Sequence, residues 1–279
     1  MYPRPEHLPP PNERSLGRMG HNLNAVFLGV VSSLAAGAVV WLFAFGGIAN
    51  ITDTAERAEF SSSPPWLTIA NPHQDVADSA VLTFADLPPG WTLAADDDDG
   101  GDFDYESSEE CHQLDEKASS TAAQAYAKSE NMTGPERQIV RSDASVFAGA
   151  EAAQGTFEAN RMLFAQCGDE LVAALDADLR RRAAHDGLPP DAVQLQISFQ
   201  DLGLPSVGET GMMFRIAGTV TGPAGSSEFA VDFIAFRHGR MLGGVIYTTF
   251  GALHPEEEQQ IAQIAAAKLQ TANASLEQS

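Results

Sequence analysis

The residues with the densest chemical potential are acidic. The run Asp96-Asp97-Asp98-Asp99-Gly100-Gly101-Asp102-Phe103-Asp104-Tyr105-Glu106 concentrates carboxylates, the oxygen ligands that hard cations such as calcium take. A twelve-residue calcium loop needs an acidic first position, a glycine at the sixth and a glutamate at the twelfth. With Gly100 sixth, Glu106 falls twelfth but Ala95 falls first; with Gly101 sixth, the twelfth is Ser107. Neither register works, so the run reads as a solvated acidic loop. His73, His112, His185, His238 and His254 are scattered, without the spacing of a finger-type or zincin-type metal site. Cys111 and His112 are adjacent, but neighbours on a helix diverge, so they make no nucleophile–base dyad. There is no Gly-x-Ser-x-Gly elbow, no phosphate loop and no Gly-x-Gly-x-x-Gly after a strand. No catalytic, cofactor-binding or metal-ligating residue is assigned, no cofactor is expected, and the chain reads as a non-enzyme.

Two cysteines remain, Cys111 and Cys167. Each falls on the apolar stripe of a predicted helix, Cys111 with Leu114 and Ala118, and Cys167 with Ala153, Phe157 and Phe164. An even count in an oxidising compartment predicts one bridge; two buried free thiols are the alternative.

The compartment is read from the N-terminal part. No charged residue lies between Arg18 and Asp53, and Ala25 to Ala49 is a 25-residue apolar stretch whose hydroxyl residues are Ser32 and Ser33. As a helix it would be about 37 Å long, enough to cross a hydrocarbon core of roughly 30 Å. It exceeds the ~7–15 apolar residues of a cleaved signal peptide, so it reads as a single-pass signal anchor. Arg4, Arg14 and Arg18 precede it and only Arg57 follows closely, among Asp53, Glu56 and Glu59. The positive-inside rule then places the N-terminus in the cytoplasm and the bulk of the chain outside. Gly29, Ser33 and Gly37, spaced by four, put small residues on one face of that helix, a surface on which two copies could pack as a homodimer.

Net charge is −22; from Asn50 onward 13 Lys and Arg face 36 Asp and Glu. Such a surface repels nucleic acid and anionic headgroups. The expected partner is therefore a ligand or an envelope protein. So many acids make a chance carboxylate pair easy, which keeps an envelope hydrolase using carboxylates as an alternative. A structural or assembly protein of the envelope, leaning on the Gly29/Ser33/Gly37 face, is a second one.

The elements follow from pattern. Residues 1–24 are a Pro-rich inner tail, 25–49 the transmembrane helix and 50–79 a spacer rich in breakers (Ser61-Ser62-Ser63-Pro64-Pro65, Asn71-Pro72). The globular domain is expected over 80–272, with 273–279 as a tail. Val81 to Phe84 suggests a short strand or extended entry, followed by a rigid turn that delivers Trp91 for burial. A helix around Ser107 to Lys117, an undecided Ala122 to Lys128 and a strand over Gln138 to Phe147 come next. Ala150 to Cys167 reads as a helix broken or kinked at Gly168, with Leu171, Leu175 and Leu179 continuing as a second one. The last third alternates: Val193 to Gln200; Met212, Phe214, Ile216 and Val220; Phe229, Val231 and Phe233; then Leu242 to Phe250, with turns at Gly222-Pro223-Ala224-Gly225 and His238-Gly239. That is an antiparallel meander. Gly243-Gly244 inside it marks a bulge or close packing. Pro255 with Glu256, Glu257 and Glu258 opens a closing helix striped by Ile261, Ile264, Ala265 and Leu269. The order argues an α+β domain of helices on an antiparallel sheet.

Several short motifs share an order with a known family: Asp86-Leu87-Pro88-Pro89-Gly90-Trp91; Cys111 after an acidic loop; Val146-Phe147-Ala148 leading into a helix that reaches Ala165-Gln166-Cys167; Val207-Gly208-Glu209 before a strand; and Phe236-Arg237-His238-Gly239-Arg240 at a hairpin. Over Val81 to Leu269 the chain resembles the PknH-like extracellular sensor-type domains of bacterial membrane-anchored or lipoprotein-like proteins. The resemblance implies a helix-flanked antiparallel sheet, a disulfide, and an envelope-exposed, ligand-sensing or lipoprotein-like role without enzyme activity. The arrangement is also similar to PsbP-like folds, an analogy that carries no function. No kinase domain precedes the apolar segment, and two cysteines allow one bridge where that domain resembles a two-bridge type, so a signalling output is not carried over.

Overall fold

The computed structural model describes residues 71–94, 108–185, 194–203, 205, 207–222 and 225–278. Among them no helix is long and apolar enough to cross a membrane. The stretch Ala25 to Ala49, with Gly29, Ser33 and Gly37, and the acidic run 96–106 lie outside the described residues.

Among the described residues, four α-helices and eight strands follow in the order α1 (Pro72–Ala80), β1 (Thr92–Leu93), α2 (Glu109–Ser119), β2 (Ala125–Lys128), β3 (Met132–Thr133), β4 (Ile139–Val146), α3 (Ala150–His185), β5 (Gln194–Gly203), β6 (Thr210–Gly222), β7 (Gly225–His238), β8 (Met241–Phe250) and α4 (Pro255–Gln278). The strands form one antiparallel sheet in the order β1-β3-β4-β8-β7-β6-β5, with β2 also pairing with β4. The meander expected of the last third is therefore the body of the sheet, and the α+β class holds.

Alternation along β6 and β7 makes two apolar faces. Phe214, Ile216, Val231 and Phe233 turn to one side, where Phe157, Phe164, Leu171 and Leu175 of α3 cover them. Spacings of seven and four keep those helical residues on one stripe. Ile234, Phe236, Val245 and Tyr247 turn to the other side, under Ile261, Ala265 and Leu269 of α4 and Ala77 and Ala80 of α1. Each Leu, Ile or Phe so buried contributes about 1.5–3 kcal/mol of transfer free energy. Gly243 belongs to this second layer and marks close packing: a Cβ there would stand 2.7 Å from Phe236 Cε2 and 3.2 Å from Leu269 Cδ1.

Three expectations are corrected. Residues 72–80 are helix α1, not spacer. Asn71 caps it by accepting from the His73 amide at 3.1 Å, and Pro72 enters at the first helical turn, where a missing N–H costs nothing. Asn71 and Gln74 also donate to the backbone carbonyls of Gln124 and Tyr126, which ties α1 to β2. Of the two readings of Val81 to Phe84, the extended entry is the one found: Val81 and Thr83 have extended backbone, and a short 3-10 turn, Phe84–Asp86, follows. The closing helix runs through 273–278, because Asn273 is buried and its Oδ1 accepts the Arg240 amide at 3.1 Å. Finally, α3 is one continuous helix of 36 residues, about 54 Å long. Gly168 does not break it: the Phe199 ring of β5 lies against it where a Cβ would stand.

Gly168→Ala should thus be unfavourable despite alanine's helical advantage of about 1 kcal/mol, because Phe199 has to move. In a Phe199→Ala background the same change should stabilise by about that 1 kcal/mol. Urea midpoints of the four variants check this; a Gly168→Ala chain more stable than the parent would remove the close approach as the reason for the glycine.

Candidate functional site

Two groups of buried polar side chains stand in the two helix–sheet layers. In the α4 layer, Arg215 of β6 lies across from Asp232 of β7 in the strand register. Its Nε and Nη2 donate to the two Asp232 oxygens at 2.6 and 2.7 Å, the fork geometry that suits guanidinium and carboxylate. Glu258 of α4 stands 3.5 Å from the same guanidinium. Tyr247, beside Asp232 on β8, donates its hydroxyl to Glu257 at 2.6 Å. Asp232 and Glu258 are buried. Burial and the neighbouring Asp232 carboxylate push the Glu258 carboxyl well above the usual range, and its Asp232 hydrogen bond favours the acid form too. The Asp232 contact holds the Arg215 guanidinium charged. Three carboxyls, one guanidinium and one phenol thus fasten α4 to the sheet.

In the α3 layer a cavity of about 80 Å³ lies between the helix and strands β4, β8, β7 and β6. Its wall is mostly apolar, with Phe157, Phe164, Phe214 and Phe233 among the lining residues, and its polar groups come from Asp143, Ser145, Thr156 and Asn160. Phe164 stacks on Phe214 with ring centroids 5.0 Å apart and on Phe233 at 6.2 Å, which stiffens that wall. Asn160 donates to the Thr156 carbonyl at 3.1 Å. Asp143 Oδ1 and Thr156 Oγ1, by contrast, are buried with no hydrogen-bond partner. Burial pushes the Asp143 carboxyl up to about 8, the nearby Arg141 guanidinium opposing. At neutral pH Asp143 is mostly an acid that can donate a hydrogen bond.

The predicted cysteines come together: Cys111 of α2 is bonded to Cys167 of α3, with Cα atoms 5.9 Å apart and a sequence separation of 56. Ser108 starts α2 by accepting from the Cys111 amide, and both cysteines pack with Leu163 in a small cluster of their own. The bridge fixes α3 one turn beyond Phe164. The motifs Val207-Gly208-Glu209 and Phe236-to-Arg240 also meet, Glu209 lying 2.8 Å from Arg237. No set of three His, Cys, Asp or Glu that could hold a metal exists among the described residues. Sequence reasoning missed Asp143, Thr156, Asp232 and Glu258. A lone charge in the apolar run Phe229 to Phe236 is the signal that could have found Asp232.

No protein-family model matches the chain, and no curated protein matches it significantly. Two solved structures do. The extracellular domain of PknH from Mycobacterium tuberculosis aligns over 52% of this chain and 62% of its own length, at 13% identity and a TM-score of 0.30. LpqN of Mycobacterium tuberculosis, described as involved in cell envelope biogenesis, aligns over 66% and 78% at 9% identity and a TM-score of 0.23. This chain thus spans less than two thirds of the PknH domain. The first neighbour carries the name of the family that the motifs resemble, but overlaps this slight decide neither fold nor role.

Two outcomes test the site. The non-reduced chain should weigh two hydrogens less than the reduced one, and removing the bridge by Cys111→Ser with Cys167→Ser should cost about 4 kcal/mol in denaturant melts for a loop of this size. Secondly, Asp143, Glu258 and Asp115, the last pushed up to about 7 by burial, keep protons in the fold that the unfolded chain has lost. Each such acid contributes fully below the ordinary carboxylate range near pH 4, and its contribution falls as pH climbs toward its folded value. Stability should therefore decline from about pH 5 to pH 8, and Glu258→Gln should flatten the decline; a parent chain that gains stability across that window would contradict the raised values.

Proposed function

We propose that the chain is a membrane-anchored, extracytoplasmic binding or sensor-like module of the cell envelope, without enzyme activity of its own. The observation that carries this reading is the cavity under α3: concave, apolar-walled and furnished with a few polar groups, the character of a small-molecule site. A disulfide between α2 and α3 suits an oxidising compartment. The apolar stretch 25–49 and its arginine flank supply the anchor and its direction. The partner is a small ligand or an envelope protein, and the acidic surface disfavours nucleic acid.

The alternative of a carboxylate-using hydrolase needs two acids facing substrate. The close pair in this fold, Asp232 with Glu258, is bound to Arg215 beneath α4 and does not line the cavity. An assembly role resting on Gly29, Ser33 and Gly37 has no support from the described residues.

Native mass spectrometry of the full chain, released from membrane with its surrounding lipid, tests the reading. A small molecule retained at one per chain is expected, and it should be lost when Ala235, which lines the cavity, is enlarged to Phe while the disulfide mass signature persists. Equal retention in Ala235→Phe would move the site elsewhere. Turnover of an envelope substrate abolished by one side-chain change would replace the reading with the enzymatic one.

A further inference from the structure

We propose that the cavity under α3 takes a small neutral amphiphile: an apolar body carrying one uncharged hydrogen-bonding head, a hydroxyl or an amide or ester carbonyl, held between Asp143 and Thr156. The proposal rests on the binding reading and narrows it to a ligand class.

Asp143 on β4 and Thr156 on α3 line one cavity, and one side-chain oxygen of each, Oδ1 and Oγ1, is buried with no partner in the protein. Folded proteins satisfy roughly 90% or more of such groups, and leaving one bare costs about 1–3 kcal/mol. Both residues are more than nine-tenths buried, at 7% and 3% exposure. The space, about 80 Å³, exceeds the ~30 Å³ share of one water and is about half of the ~150 Å³ that admits benzene in an engineered apolar cavity. Its apolar wall favours a ligand whose bulk is hydrocarbon.

The surroundings of Asp143 decide the charge of the head. Arg141, two residues away on the same face of β4, acts on Asp143 electrostatically. From β2, Tyr126 acts on both, while Lys128 stands opposite Asp143 in the strand register. Gly244 faces it from β8, and α3 contributes the neutral Thr156 and Asn160 to the cavity. A cationic head would compete with a guanidinium already in place. An anionic head would meet the Asp143 carboxyl inside a chain of net charge −22. An uncharged head avoids both: it accepts from the acid form of Asp143 and exchanges a hydrogen bond with the Thr156 hydroxyl.

Three probes of one small shape separate the classes, 2-propanol, isopropylamine and isobutyrate, with xenon as the apolar control; each is titrated by NMR against the full chain in lipid nanodiscs, with empty nanodiscs as the blank. 2-Propanol should bind saturably and at least tenfold more tightly than the amine or the acid. Asp143→Asn keeps a donor and an acceptor and should retain that binding; Thr156→Val should weaken it about tenfold. The parent's affinity should fall above pH 8, as Asp143 ionises, while Asp143→Asn stays flat. If xenon enters but 2-propanol shows no advantage, or binds Thr156→Val equally, the two oxygens are satisfied by water and the proposed class is overturned while a binding cavity survives. If the amine wins, the class is cationic and the proposal fails. If neither xenon nor any other probe enters, the binding reading fails with it.

Discussion

Everything in this fold answers to a sheet with no polar face at its centre. Along β6, β7 and β8 the side chains alternate, yet both sets are mainly apolar: Phe214, Ile216 and Phe233 on one side, Ile234, Phe236 and Tyr247 around the Arg215–Asp232 pair on the other. An antiparallel sheet with one wet face needs one helix layer; this one needs two. The α3 layer comes from the middle of the chain and the α4 layer from its end, with α1 completing the second. That demand explains why residues 72–80 join the domain although they look like spacer: Ala77 and Ala80 fill the part of the face that α4 leaves.

The two layers carry their polar groups differently. Under α4, Arg215 collects Asp232 and Glu258 around one guanidinium, although Glu258 Oε1 is itself buried without a partner. A buried ion pair of this kind adds little net stability, because desolvation offsets the attraction, but removing one member strands the others. It specifies where α4 sits more than how firmly. Under α3, Asp143 and Thr156 each carry an unpartnered oxygen and line open space. Unpartnered oxygens occur in both layers, so it is the cavity that separates the two faces.

The alternation of the meander, the stripe of α4 and the inward-facing cysteines were legible in the sequence because each is a periodicity, and periodicity survives without knowledge of partners. What could not be read depends on contacts distant in the chain. Gly168 looks like a helix breaker until Phe199 is seen lying on it. Asn71-Pro72 looks like a turn, since the same pair that breaks a chain also starts a helix. Asp232 and Arg215 are 17 residues apart and face each other only through the β6–β7 register. Asp143 and Thr156 line one cavity across a helix–sheet interface with no local signature at all. The acids that drew the eye, Asp96 to Glu106, were conspicuous because they are clustered in the sequence; the acids with raised affinity for a proton, Asp115, Asp143 and Glu258, are buried.

The disulfide ties these threads together. A cavity beneath a helix is unstable to collapse: close-packed interiors recover dispersion energy by closing voids, and a roof held by side chains alone can settle by an ångström. Here the roof carries Phe157, Thr156, Asn160 and Phe164, and three residues past the last of these Cys167 is bonded to α2. On the sheet side, the Phe199 ring lies against Gly168, the next residue along α3. The helix is thus clamped from both sides within one turn of the cavity's wall, by a covalent bond on one side and an aromatic ring seated on a glycine on the other. Neither clamp touches the cavity. Both fix α3 against its neighbours beside the cavity that Asp143 and Thr156 line.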